Sequence, residues 1–294
     1  MRPARRTLGA MLAAAVAGTG LLAGLPTATA TAAATRPGPA DVVALGADLV
    51  NAATGDPMWS RGANVKRPIA SITKVMTAYV VLESGDLNRE IRVTRAAEEY
   101  GQAYDPSEAG LIPGDLLTAR QLLEGLLLPS GSDAAYLLAS SYGPGWPRFV
   151  RKMNAAARRL GMTRTHYANF DGLPWPSEYS TYSTPHDLML LAAAAMKSAS
   201  FRQIVRLSKT SIRATRLHHH YYWKNTNLLL SEFRGTIGIK TGFTAKAGYC
   251  LLFEAARGGH ELLGVVLNST STVPGERFTA AANLLRWGFA QFAS

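Results

Sequence analysis

Strand-like and helix-like runs are segregated along this chain, and that segregation limits the folds open to it. Near the start, "DVVALGADLV" and "MWSRGANV" read as strands joined by a turn at Asn51–Asp56. From Thr94 to Met196 the signals are mainly helical: "TARQLLEGLLL", "SDAAYLLASSYG", "WPRFVRKMNAAARRLG" and "PHDLMLLAAAAMKS". Strand character then returns in "SKTSIRATRL", "HHHYYWKNTN", "TIGIKTGFT", "GYCLLFEAARGG" and "HELLGVVLNST", with Gly258-Gly259 as a hairpin turn. An amphipathic run, "GERFTAAANLLRWGFAQF", comes last. A sheet must therefore be completed by elements from both ends of the chain. The expected class is α/β, more narrowly α+β: an antiparallel sheet flanked by helices, with an inserted all-helical subdomain at about 94–196.

The first thirty residues do not belong to that sheet. A basic start "MRPARR", an apolar run and a small-residue tail have the layout of a secretory signal peptide, expected at 1–30. A Thr/Ala/Pro-rich linker (31–40) follows, and the folded domain is expected over 41–294. At 47% hydrophobic and 17% charged, the chain has the composition of a folded protein. Removal of Arg2, Arg5 and Arg6 would lower the formal +11 to +8. A basic exported protein is drawn to anionic wall polymers or membrane surfaces. Nucleic acid is not an expected partner, because no Lys/Arg block or zinc spacing accompanies the charge.

Ser71 and Lys74 are the first candidates for chemistry. They lie three residues apart in the first turn of the helix expected for "PIASITKVMTAYVVLESG", so they share a face. A serine hydroxyl becomes a nucleophile only when a base takes its proton, and a desolvated lysine can be that base. The helix is apolar nearly all round, which gives a lysine there little structural purpose. Ser130-Gly131-Ser132 is the second element. Its bland reading is helix punctuation, with Pro129 and Gly131 ending one helix and a serine capping the next; its chemical reading is a hydroxyl relaying a proton into a cleft. Lys240-Thr241-Gly242 is the third, on a strand where lysine and threonine can hold a carboxylate and glycine permits close backbone approach. A protective lysine on an edge strand explains it equally well by itself.

In that order, on a helix start, an interhelical turn and a strand, S-x-x-K, an S-x-N-type element and K-T-G form the signature of penicillin-binding proteins and class A β-lactamases. The chain resembles the low-molecular-weight penicillin-binding proteins, the serine-type D-alanyl-D-alanine carboxypeptidases and transpeptidases. Besides the three motifs, the resemblance extends to "MNAAARRLGMTRTHYANFDGL", "YSTPHDL", "KNTNLLL" and "GIKTGFTAKAGYCLLFEAARGG". It implies a penicillin-binding-protein/β-lactamase-like fold and two-step acyl transfer. Ser71 would attack the penultimate D-Ala carbonyl, Lys74 would be the base, and Ser130 would pass a proton to the leaving D-Ala. Ser132, Lys240 and Thr241 would bind substrate, and the backbone N–H groups of Ser71 and Phe243 would form the oxyanion hole. The implied partner is a peptidoglycan stem peptide ending in D-Ala-D-Ala, with β-lactams as covalent inhibitors. No cofactor and no metal are expected, and the protein is expected to work as a monomer outside the cytoplasm, with at most weak attachment to membrane or wall.

The sequence departs from the family pattern at Ser132, where asparagine is usual, and by having only 52 residues after Gly242. From the latter, the C-terminal β-domain of many relatives is not expected. Three alternatives stay open: a DD-transpeptidase, a serine β-lactamase, and an inactive wall-binding protein.

Other residues read more blandly. Cys250, in "GYCLLFEA", is expected to be a buried small hydrophobe. His218-His219-His220 looks metal-like, but neighbouring strand residues alternate faces and no carboxylate or cysteine stands nearby in sequence. Asn225 and Asn227 fit turn chemistry as well as a site floor. Glu178 lies in the long loop where a β-lactamase would keep its deacylating glutamate, but "WPSEYSTYS" does not look like that loop.

Overall fold

The structure is a computed structural model and describes residues 38–104 and 107–292. The signal-peptide reading, and the linker reading up to residue 37, lie outside the described residues. In chain order the elements are β1 (Gly46–Asn51), β2 (Pro57–Arg61), β3 (Arg67–Pro68), a 3-10 turn (Ala70–Ile72) and α1 (Thr73–Glu83). Then come β4 (Glu90–Arg92), α2 (Arg95–Tyr104), β5 (Leu116–Thr118), α3 (Ala119–Leu127), α4 (Ser132–Tyr142) and α5 (Trp146–Arg159). After these follow β6 (Tyr182–Ser183), α6 (Pro185–Met196), α7 (Ala199–Val205), β7 (Lys209–Ile212), β8 (Tyr221–Lys224) and α8 (Leu229–Glu232). The chain closes with β9 (Thr236–Thr244), β10 (Gly248–Arg257), β11 (His260–Leu267) and α9 (Glu276–Ala290).

Among the described residues, the main sheet has five strands in the order β2-β1-β11-β10-β9. The pairs are antiparallel, and β1 from the start of the chain pairs with β11 from its end, Gly46 opposite Leu267. This is the sheet completed from both ends that the sequence predicts. Period-2 alternation sorts its side chains into two cores. Leu49, Leu251, Phe253, Leu262 and Val266 pack with Phe278, Leu284 and Leu285 of α9. Val50, Leu252, Leu263, Val265 and Leu267 face the opposite way, into the core shared with α1, α3, α4 and α6. Cys250 is fully buried, and burial pushes its thiol up to about 11, which suits a small hydrophobe.

The inserted segment departs from the all-helical expectation. It carries β5, paired with β4, and β6, paired with β3. Ladders of two or three residues are too short to show alternation in sequence. The β7–β8 hairpin stands apart from the main sheet. There His219 does have a carboxylate partner: its Nδ1 lies 2.8 Å from Asp115 Oδ1, 104 positions earlier in the chain.

Candidate active site

Ser71 lies in the 3-10 turn, two residues before α1 begins, where the sequence reading places it in the first turn of the helix; Lys74 is the second residue of α1. Two glycines hold that turn in place. A Cβ on Gly242 of β9 would come within 3.0 Å of the Ile69 carbonyl, and one on Gly172 would sit 1.9 Å from the Ala70 carbonyl. The Gly242 contact would be tighter than most real Cβ contacts, and the Gly172 contact is closer than real Cβ atoms come. Gly172 also has φ +86°, a conformation glycine adopts without steric cost. The freedom expected at Gly242 for substrate is thus used by the chain to bring β9 against the serine turn.

Lys74 is buried at 1% exposure, and its Nζ points at four oxygens. They are Ser71 Oγ at 3.3 Å, Ser130 Oγ at 3.3 Å, Ser130 O at 2.5 Å and Ser132 Oγ at 3.0 Å. Burial lowers its pKa to about 8, against an opposing pull from Asp171 and Asp133. The side chain therefore sits near the boundary between ammonium and free amine at neutral pH.

Ser130 reaches Lys74 from a left-handed backbone, φ +72°, which costs an L-residue about 1–3 kcal/mol. The turn does not cap α4 through a serine: the N-cap is Gly131, with no side-chain cap hydrogen bond, and Ser132 is the first helical residue. Asp133 instead accepts the backbone N–H groups of Ala109 (2.9 Å) and Leu111 (3.1 Å), and the Ser132 N–H donates to Ser107 O at 2.7 Å. These bonds fasten the segment carrying Ser107 to the start of α4.

Ser132 itself is fully buried and hydrogen-bonds the Asp171 carboxylate. Burial raises the Asp171 pKa, while Lys74, the Leu173 N–H and the Tyr100 hydroxyl act to lower it. Lys240 is buried at 1% exposure, with Nζ 3.0 Å from Thr241 O; burial, then Lys74 and Arg277, push it well below the usual lysine range. Thr241 Oγ1 lies 2.6 Å from Thr226 Oγ1. Phe243, at the end of β9, is 45% exposed and stacks on Tyr249 with ring centroids 4.2 Å apart.

Ser71, Ser130, Ser132, Thr241 and Phe243 line one cleft of about 290 Å³. Lys74 touches it from beneath through its bonds to the three serines. Sequence reasoning did not single out Ser107, Leu173, Thr226, Tyr249 or Arg277, which share the walls. Arg277 comes from α9: its guanidinium lies over Tyr249 (5.0 Å) and its Nη1 is 3.4 Å from Gly242 O. Its buried Nε has no hydrogen-bond partner, as suits a site that receives an anion. Asn225 and Asn227 are turn residues: Asn225 accepts the Asn227 N–H and Asn227 accepts the Leu229 N–H. Glu178 is exposed and does not line the cleft.

Lys240 lies behind the lining, and Arg277 is the cation on the wall; a serine beside a buried amine, a second hydroxyl across the cleft and that guanidinium form an arrangement for acyl transfer from a carboxylate-ended substrate. Comparison with known proteins agrees with that chemistry. The D-alanyl-D-alanine carboxypeptidase family profile matches residues 30–271. A D-alanyl-D-alanine carboxypeptidase of Streptomyces sp. (strain K15) is 43% identical over 296 residues, covering 97% of this chain and 96% of that protein. A D-alanyl-D-alanine carboxypeptidase of Mycobacterium tuberculosis is 38% identical over 238 residues, covering 81% and 79%. The crystal structure of the Streptomyces K15 DD-transpeptidase superposes with a TM-score of 0.81 at 40% identity, over 87% of this chain and 100% of that one.

Proposed function

The chain belongs to the D-alanyl-D-alanine carboxypeptidase family of low-molecular-weight penicillin-binding proteins, and we propose how its own residues divide that family's serine-type reaction. Lys74, as free amine, takes the Ser71 proton while Ser71 Oγ attacks the penultimate D-Ala carbonyl. The Ser71 and Phe243 N–H groups hold the oxyanion. Ser130 then protonates the leaving D-Ala nitrogen, drawing its proton from Lys74, which lies equally close to both hydroxyls. Thr241, Lys240 and Arg277 hold the terminal carboxylate. Water resolves the acyl-enzyme on Ser71. The observation that carries this reading is the buried Lys74 amine, within reach of Ser71 Oγ and with a pKa of about 8.

The stem peptide places the work outside the cytoplasm, consistent with the basic start and apolar run of the sequence. A catalytic domain over 41–294, acting as a monomer with weak, charge-based association with membrane or wall, completes the proposal. Transfer to an amine is a second reading, favoured by the likeness to a structure described as a DD-transpeptidase.

The mature protein, given fluorescent penicillin and followed by gel, is expected to keep its label for longer than the assay. Given a D-Ala-D-Ala peptide it is expected to release D-alanine, and an added acceptor amine divides hydrolysis from transfer. Rapid loss of label with drug hydrolysis would make it a lactamase; no label at all would make it a binding protein.

Ser132→Asn tests the departure from the family pattern. The asparagine carbonyl can accept from Lys74 while its NH₂ donates to Asp171, so both contacts of Ser132 survive. The added volume in a fully buried position costs about 1–3 kcal/mol of stability. Acylation is expected to stay within about tenfold of the parent, with a lower Tm by calorimetry. Complete loss of acylation in a folded variant would show that the pocket needs the hydroxyl.

A further inference from the structure

Asp48 breaks the pattern of β1. Strand alternation sends Ala47 and Leu49 toward α9 and Asp48, with Val50, toward the helices on the other face. A residue of that face is ordinarily apolar, yet a carboxylate stands there at 3% exposure. Among the described residues no side chain hydrogen-bonds it; the neighbouring Leu49 N–H is its backbone partner, and the His186 imidazole is the side chain that acts on it. A desolvated carboxylate normally has an ion or donors to offset its burial.

The carboxylate opens into a cavity of about 450 Å³ between β1, β2 and α6. Val50, Leu160, Met189 and Leu190 give it apolar walls. His186 stands exposed on the first turn of α6, and Lys197 lies eleven residues further, about 16 Å along the helix. Lys197 is not among the groups that act on Asp48. In the sheet, β1 is separated from β9 by β11 and β10, so the cavity is about 15 Å from the Ser71 cleft. A concave space with apolar walls, one buried acid at Asp48, and Ser60, His186 and Lys197 elsewhere on its lining has the form of a small-molecule site.

We propose that this cavity binds a primary alkyl ammonium, its head on the Asp48 carboxylate and its hydrocarbon along Met189 and Leu190. The ionised carboxylate only accepts hydrogen bonds, and an ammonium offers three donors. The apolar walls favour a ligand whose charge is confined to one end. A carboxylate-bearing ligand would place like charges together, and a neutral alcohol would leave the buried charge uncompensated.

The test uses the mature protein with ¹³C-methyl methionine and follows the Met189 methyl signal by NMR at pH 8. Hexylamine is expected to shift that signal saturably, with hexanol and hexanoate binding at least about tenfold more weakly. Asp48→Asn keeps the shape and removes the charge, and should weaken hexylamine by about tenfold. Ala194→Leu fills the cavity while sparing Asp48, and should abolish the shift if the same cavity is occupied. Unchanged penicillin labelling shows that each variant is folded. Absence of a saturable shift, equal binding of hexanol, or full affinity in either variant would overturn the proposal.

Discussion

Ser71→Ala is expected to leave no covalent penicillin label and to slow D-Ala release by about 10⁴-fold or more, the scale on which nucleophile removal acts in serine hydrolases. The control that gives this result meaning is Ser130→Ala, because Lys74 Nζ lies 3.3 Å from both hydroxyls and does not distinguish them by distance. Their surroundings do. Ser71 is half-buried and opens to the cleft from a short turn, whereas Ser130 is buried at 4% exposure and held at φ +72°. Ser130 is therefore suited to proton relay, and Ser130→Ala should still acylate, about 10²–10⁴-fold more slowly. Intact labelling in Ser71→Ala with none in Ser130→Ala would reverse the two roles. Gel fluorescence after stoichiometric penicillin, with mass spectrometry of the labelled peptide, reads both variants directly.

The reach of sequence reasoning followed the length of each physical signal. Strands β9, β10 and β11 run for eight residues or more and are buried along most of their length on both faces, so they read as long apolar segments, and "TIGIKTGFT" coincides with β9. Helix α1 is apolar nearly all round and is buried accordingly. By contrast, α2 is built from small and charged residues ("RAAEEYGQAY") and α7 is only seven residues long, so neither stood out in sequence. The short ladders β3–β6 and β4–β5 exist because tertiary packing brings their chains together.

The site divides in the same way. Ser71 and Lys74 are legible because one helix turn fixes their spacing, and Lys240-Thr241-Gly242 because a strand does. Thr226 was overlooked between two asparagines that proved to be turn residues. Arg277 reaches the cleft from α9 along a path that no local spacing encodes. Asp171 lies in the quoted "NFDGL", but its role depends on Ser132 and Tyr100 meeting it in space.

The pH dependence of acylation gives the second large effect, and its sign follows from Lys74. A general base must be neutral to accept a proton, so the rate should climb as Lys74 loses its own. Burial lowers its pKa to about 8, so the active fraction is small at pH 6, about half at pH 8 and nearly complete by pH 9. The second-order rate of penicillin acylation, which reports the free enzyme, should rise about tenfold per pH unit on the acid side and level off above pH 8. Lys74→Arg keeps a cation near Ser130 O and Ser132 Oγ but cannot deprotonate in this range. It is expected to lose about 10²–10⁴-fold in acylation rate together with the limb near pH 8. A merely structural lysine would lower the rate and leave the limb in place. A parent profile flat from pH 6 to 9, or rising only near pH 10, would show that Lys74 does not take the Ser71 proton.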